Sequence, residues 1–97
     1  MSYKLTRKAE DDIIDIYLQG HTLFGENQAE RYHRGMEEAF RFLSDEPRAA
    51  RERTEINPPV RVHPYGSHII IYMIDPADDI LILRVRHSRE DWHNSPL

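Results

Sequence analysis

The sequence predicts an α+β fold in which a short N-terminal strand and an α-helical hairpin pack on an antiparallel β-sheet. Three observations carry this. Apolar residues recur at helical spacing through the first half, two strongly apolar runs joined by a turn occupy the last third, and no repeat or low-complexity stretch interrupts them. A chain of 97 residues can bury one modest core and has no room for a second, so 1–97 is read as a single domain.

Each element has its own signal. Tyr3-Lys4-Leu5 is a short strand, and Thr6 behind it has a side chain suited to a helix N-cap. A first helix is expected from Arg7 to Leu23, with Ala9, Ile13, Ile16, Tyr17 and Gly20 on one stripe. Glu10, Asp11, Asp12 and Asp15 are expected to face water, the first three near the positive end of the helix dipole. Gly25 and Asn27 mark a break. A second helix carries Ala29, Tyr32, His33, Met36, Phe40 and Leu43 on one stripe until Pro47 stops it, completing an αα-hairpin. From Arg48 to Pro59 charges alternate without a period, which reads as an exposed, mobile connector. Strands then follow at Val60–His63, His68–Ile74 and Ile80–His87, joined by turns at 64–67 and 75–79 as an antiparallel meander. In the last strand Leu81, Leu83 and Val85 are expected to face the helices, with Ile80, Ile82, Arg84 and Arg86 on the opposite face. If Val60 and Val62 pack inward, Arg61, His63, Arg84 and Arg86 share that outer face, either as a basic patch or as a solvated edge paired with Asp75, Asp78 or Asp79.

Composition excludes several function classes. With 39% hydrophobic and 31% charged residues the chain fits a soluble globular protein. It has no run long enough to span a bilayer and no apolar leader, so no membrane partner is expected and the cytoplasm is the expected location. The net charge of -4 belongs to the first half, where ten acids face six Lys/Arg up to Pro47. Phosphate contacts from Lys and Arg supply most nonspecific nucleic-acid affinity, so direct nucleic-acid binding by this chain alone is not expected. The absence of cysteine removes disulfides, thiolate nucleophiles and Cys-ligated zinc. Six histidines include no His-x-x-x-His pair, so neither metal nor cofactor is expected. Ser67 and Ser88 lie next to His68 and His87, but without a Gly-x-Ser-x-Gly elbow, and strand neighbours point to opposite faces.

The ordered set of local patterns resembles the RelE/ParE toxin superfamily, and its ParE branch in particular. Ala9-x-x-Asp12-Ile13-x-x-Ile16-Tyr17 is similar to that branch's first helix, Ala29 and Leu43-x-x-x-Pro47 to its second helix and stop, and Arg61 to the arginine opening its second strand. His68-Ile69-Ile70-Ile71-Tyr72 and Ile80-Leu81-Ile82-Leu83-Arg84-Val85-Arg86-His87-Ser88-Arg89-Glu90-Asp91 resemble the sheet core and the terminal I-L-R-V-x-H-x-R-x-D signature. The chain departs from the pattern at Pro47-Arg48-Ala49-Ala50, where a glycine often follows the proline, and at Ser88, where glycine is frequent.

The resemblance implies the toxin of a type II toxin–antitoxin pair that inhibits DNA gyrase by binding, without chemistry of its own, and is neutralised by a cognate antitoxin. Arg84, His87, Arg89, Asp91 and Trp92 are then the target-contacting tail, with Asp91 as an orienting carboxylate and Trp92 as an aromatic anchor. Tyr17, Leu18, Tyr32, Phe40, Leu81 and Leu83 are candidates for the antitoxin surface, the alternative for each being ordinary core. Apolar surface left over beyond the helices would suit an amphipathic helix in a groove or an added strand. The resemblance also admits a RelE-like ribosome-dependent endoribonuclease, with Arg61, Arg84 and His87 in catalytic roles. Against it stand the acidic balance, the restriction of lysine to Lys4 and Lys8, and the acidic tail Glu90-Asp91-Trp92. A relative that binds antitoxin without toxicity is the third reading.

Overall fold

A computed structural model describes residues 2–97. The elements are β1 (Tyr3–Leu5), α1 (Arg7–Phe24), α2 (Glu26–Asp45), β2 (Glu52–Arg53), β3 (Val60–Tyr65), β4 (His68–Ile74) and β5 (Ile80–His87). The strands form one sheet in the order β1-β5-β4-β3-β2. β3, β4 and β5 make the expected antiparallel meander, whereas β1 joins β5 in parallel, which makes the sheet mixed.

Local chemistry sets the hairpin. The Thr6 hydroxyl accepts the Ala9 N–H at 3.0 Å and donates to the Leu83 carbonyl at 2.7 Å, so one residue caps α1 and ties it to β5. Gly25 adopts φ 90° and ψ 167°, a region nearly closed to residues with a Cβ, and a single residue therefore ends α1 and begins α2. Its N–H reaches the His21 carbonyl and its own carbonyl accepts from Ala29. Asn27 lies inside α2 and takes no part in the break.

The sheet has two apolar faces. Ala9, Met36, Phe40 and Leu43 of the helices close over Ile70, Tyr72, Ile80, Ile82 and Val85. On the other face Ile69, Ile71, Leu83, Val60 and Val62 pack with Ile56 and Trp92. The expected facing of β5 is thus reversed: Ile80 and Ile82 meet the helices, and Leu81 and Leu83 lie on the far side. Both sets are apolar, so alternation alone does not say which one meets the helices. Val85 does reach the helix face as expected, because of a β-bulge. Tyr72 pairs with Ile82 but Ile71 pairs with Arg84, so Leu83 is inserted and the alternation changes phase.

Two further expectations are corrected. Val60 and Val62 face away from the helices, which places Arg61 and His63 on the helix side, opposite Tyr72 and Ile70. Arg61 donates to the Ala50 carbonyl at 2.6 Å and His63 stacks on Phe42 of α2, so neither shares a face with Arg84 and Arg86. The connector is also held in place. β2 pairs with β3, and Ile56 is buried in the far-side cluster. Among the described residues no helix is long and apolar enough to cross a membrane.

Candidate functional site

The candidate functional geometry lies where α1, α2 and the end of β5 meet. β1 covers β5 only over Ile80–Ile82, so the strand edge beyond is open to side chains. Thr6 takes the Leu83 carbonyl, Asp12 accepts the Val85 N–H at 3.0 Å, and Glu90 accepts the His87 N–H at 2.9 Å. Backbone groups that a further strand would satisfy are met by capping side chains.

Asp12 is the hinge of this edge. Its carboxylate also holds Arg84 through two bonds, Nε–Oδ2 at 2.6 Å and Nη2–Oδ1 at 2.9 Å, with both side chains less than one-fifth exposed. The hydrogen bonds it donates to Asp12 raise the Arg84 guanidinium above its ordinary pKa, against the opposing effect of burial. Asp12 is therefore an anchored carboxylate and not part of a solvated acidic face. One turn along the tail, Arg86 grips Glu90 at 2.9 and 3.0 Å and the Ser95 carbonyl at 2.8 Å. The His87 N–H and then Arg86 hold the Glu90 carboxyl below its usual range.

Two hollows adjoin this edge. The larger, about 330 Å³, runs between the helices from Phe24 and Leu23 past Tyr17, Tyr32 and Met36 to His68 and His87, and its walls are mainly apolar. The smaller, about 210 Å³, is polar and lies against Asp12, Arg84, Arg86 and Glu90. Ile16, Gln19, His68 and His87 border both, so the two form one groove. At its floor the Tyr32 hydroxyl lies 2.7 Å from His68 Nδ1 and accepts the Ser67 N–H at 3.1 Å. The Tyr65 hydroxyl donates to the Tyr32 carbonyl at 2.9 Å, over the place where Gly35 lacks a side chain. Burial lifts the Tyr32 phenol above its ordinary pKa, and burial with the facing His87 ring keeps His68 below its own.

The residues singled out from sequence divide three ways. Tyr17 and Tyr32 line the groove, and Leu18 is 57% exposed on α1 near Ile14, at 55%. Phe40 lies in the helix-side core, while Leu81 and Leu83 belong to the far face, away from that groove. In the tail, Arg84 and His87 border the groove, and Arg89 and Asp91 are exposed. Asp91 accepts from the Asn94 amide. Trp92 is buried in the far-side cluster, with the Arg53 guanidinium 5.5 Å from its ring centre and His93 stacked on it at 3.8 Å. Arg61 borders neither hollow, so the three residues of the nuclease reading are not gathered in this groove. Among the described residues no group of three His, Asp or Glu is placed to hold a metal.

Sequence reasoning did not single out His68, Gly35 or Tyr65 as site residues. The signal for His68 was present: it opens a strand otherwise apolar through Ile71, and a polar residue there needs a partner.

Comparison with known proteins places this geometry. The family model described as "ParE toxin of type II toxin-antitoxin system, parDE" matches residues 3–92. Toxin ParE1 of Mycobacterium tuberculosis is 32% identical over 89 residues, covering 92% of this chain and 91% of that one. Toxin ParE1 of Caulobacter vibrioides is 26% identical over 86 residues, covering 89% and 88%. A solved chain described as "Chromosomal ParDE TA system from P. aeruginosa" superposes with a TM-score of 0.74 at 27% identity, over 90% of this chain and 95% of that one. With the match running from β1 to the tail tryptophan, the chain belongs to the ParE family of type II toxin–antitoxin toxins.

Proposed function

We propose that this toxin acts by binding DNA gyrase through its tail, and that a cognate antitoxin neutralises it by seating an apolar segment in the groove between α1, α2 and β5. The observation that carries the antitoxin part is the groove itself. It is apolar over most of its length and opens at a hairpin tip where Leu23 and Phe24 stand 70% and 63% exposed. Exposed apolar groups beside an apolar cleft mark a docking surface for an amphipathic helix. Tyr17, Leu18 and Tyr32 are its contacts, and Phe40 supports it from beneath. The solved relative, described as a ParDE TA system, supports an antitoxin as the partner.

Action by binding is supported by how the cations are used. Arg84 and Arg86 are already paired with Asp12 and Glu90, so neither is free to offset charge developing on a reacting phosphate. Arg89 and Asp91 are the tail groups open to a target. Arg84 and His87 shape the strand end from which they project, and Trp92 seats the segment.

The test pairs two assays on purified toxin: gyrase supercoiling with DNA cleavage, and cleavage of ribosome-bound mRNA. Cleaved DNA with intact mRNA is expected, together with a loss of at least tenfold, about 1.4 kcal/mol of binding, in Arg89→Ala. mRNA cleavage with normal supercoiling would overturn the proposal and return Arg61, Arg84 and His87 to catalytic roles. Inactivity in both assays with the antitoxin still bound would identify a non-toxic relative.

A further inference from the structure

We infer that His68 and His87 form a proton-sensitive link between the floor of the groove and the tail turn, in which protonation reverses the Tyr32–His68 hydrogen bond at one end and removes the Arg89–His87 bond at the other. The residues face each other across β4 and β5 as register partners, with ring centres 5.3 Å apart. Each ring spends its Nδ1 on a different part of the molecule. His68 Nδ1 meets the Tyr32 hydroxyl, which also accepts the Ser67 N–H and lies 3.2 Å from the Tyr65 carbonyl. His87 Nδ1 accepts the Arg89 N–H at 3.1 Å, which fixes the turn that presents Arg89.

Protonation acts differently at the two ends. A neutral His68 with its proton on Nε2 accepts from Tyr32. A charged His68 must donate from Nδ1, which turns the single Tyr32 proton toward the Tyr65 carbonyl. A charged His87 has no lone pair left for Arg89, so the tail turn loses its bond. Two imidazolium ions at this separation repel, so charging one ring disfavours charging the other.

Among the surrounding carboxylates Asp15 borders the polar hollow beside both rings but is exposed to water. From α1, Asp12 is committed to Arg84. From α2, Tyr32 is held as above and His33 faces Glu37 at 3.7 Å. Tyr65 of β3 is bonded to the Tyr32 carbonyl, Arg84 and Arg86 of β5 add positive charge, and Glu90 of the tail is taken by Arg86 and the His87 N–H. Burial is the main reason His68 stays below its ordinary 6.5, with His87 adding to the effect and Glu90 opposing it. The Tyr32 hydroxyl therefore donates to His68 above pH 6.5, and this bond reverses as pH falls through the His68 transition.

As regulation of the antitoxin groove, the inference rests on the reading above. A segment lying over both rings removes them from water and favours the neutral pair. By reciprocity its affinity falls about tenfold per pH unit below the transition for each proton it excludes.

The test is an NMR titration of the full chain from about pH 8 to about pH 5, across the ordinary histidine range. It follows both imidazoles, the Tyr32 ring and the Arg89 amide. The Tyr32 ring and the Arg89 amide are expected to move together with the histidines. In His87→Phe the Arg89 amide should no longer follow pH while Tyr32 still does, and in His68→Phe the reverse should hold. If one variant does not fold, the other and the unaltered chain decide. A flat Arg89 amide or a flat Tyr32 ring in the unaltered chain, or an Arg89 amide that still titrates in His87→Phe, would overturn the link. Failure of the antitoxin reading leaves this titration unchanged, and a flat titration leaves that reading standing.

Discussion

Asp12 shows how much one carboxylate can hold. It receives two N–H groups from Arg84 and one from Val85, joining α1 to β5 across seventy-two positions of sequence. Asp12→Asn keeps the shape but leaves a mostly buried guanidinium without its counter-charge. The expected loss is about 1–3 kcal/mol, the range for a broken bond to a charged group near the surface. Asp15→Asn, at an exposed position, should stay within about 0.5 kcal/mol; urea denaturation of the two variants checks both. Sequence grouped Asp12 with Glu10, Asp11 and Asp15 because four acids opening a helix usually face water. Its contacts with Arg84 and Val85 distinguish it, and those contacts depend on the fold. His63 and His68 set the pH response. Burial keeps both below 6.5, so the fold prefers them neutral, and the stability they contribute is present above pH 6.5 and declines as pH falls below it. Glu90 acts with the same sign in a lower window, its contribution surviving until pH drops below 4.5. The chain should therefore unfold at lower urea at about pH 5.5 than at about pH 7.5, and His63→Asn should reduce that difference. An unchanged midpoint between the two pH values would contradict this.

Among the elements, the helical hairpin was legible because each helix has an unbroken apolar stripe and Gly25 stands between them. The same glycine gives a sharp prediction. At φ 90° and ψ 167° a Cβ is strained even with open space around it, so Gly25→Ala should cost about 1–3 kcal/mol. Calorimetry should show a lowered Tm, and a neutral substitution would mean that the hairpin bend relaxes freely. β3, β4 and β5 were legible from apolar runs and turn residues. β2 was not, because two residues within the charged run Arg51–Glu55 carry no period, and their pairing with β3 follows from where Ile56 buries itself. The facing of β5 was not legible either. Its two faces are both apolar through Leu83, and the bulge that changes phase there has no glycine to announce it. The groove shared this fate: Tyr17 and Tyr32 could be placed on helix stripes, but the pairing of His68 with His87 requires the strand register.

At the scale of the whole molecule, the sheet separates two apolar clusters with different covers. The helix-side cluster lies under α1 and α2 and supports the groove, whereas the far-side cluster has no helix and is closed by Ile56 of the connector and Trp92 of the tail. Part of the far cover is therefore made of the same segment that carries Arg89 and Asp91. Trp92 packs with Leu83, Ile69 and Ile71 and also contacts the Arg53 guanidinium and His93, so removing it uncovers that cluster and frees the tail together. Trp92→Ala should cost about 3–5 kcal/mol, as expected for deleting a buried tryptophan, whereas Trp92→Phe should cost less because it retains an aromatic cover. The groove lies across the sheet and depends on the other cluster. On the proposed function, antitoxin binding should therefore survive Trp92→Phe while gyrase inhibition falls, since the tail is less firmly seated. The paired readout is co-purification with the antitoxin and DNA cleavage by gyrase, each at a temperature where circular dichroism shows the variant folded. Equal losses in both would mean that the clusters are energetically one and that the tail is not an independent module. Retained inhibition in a folded Trp92→Ala variant would show that Trp92 only closes the core.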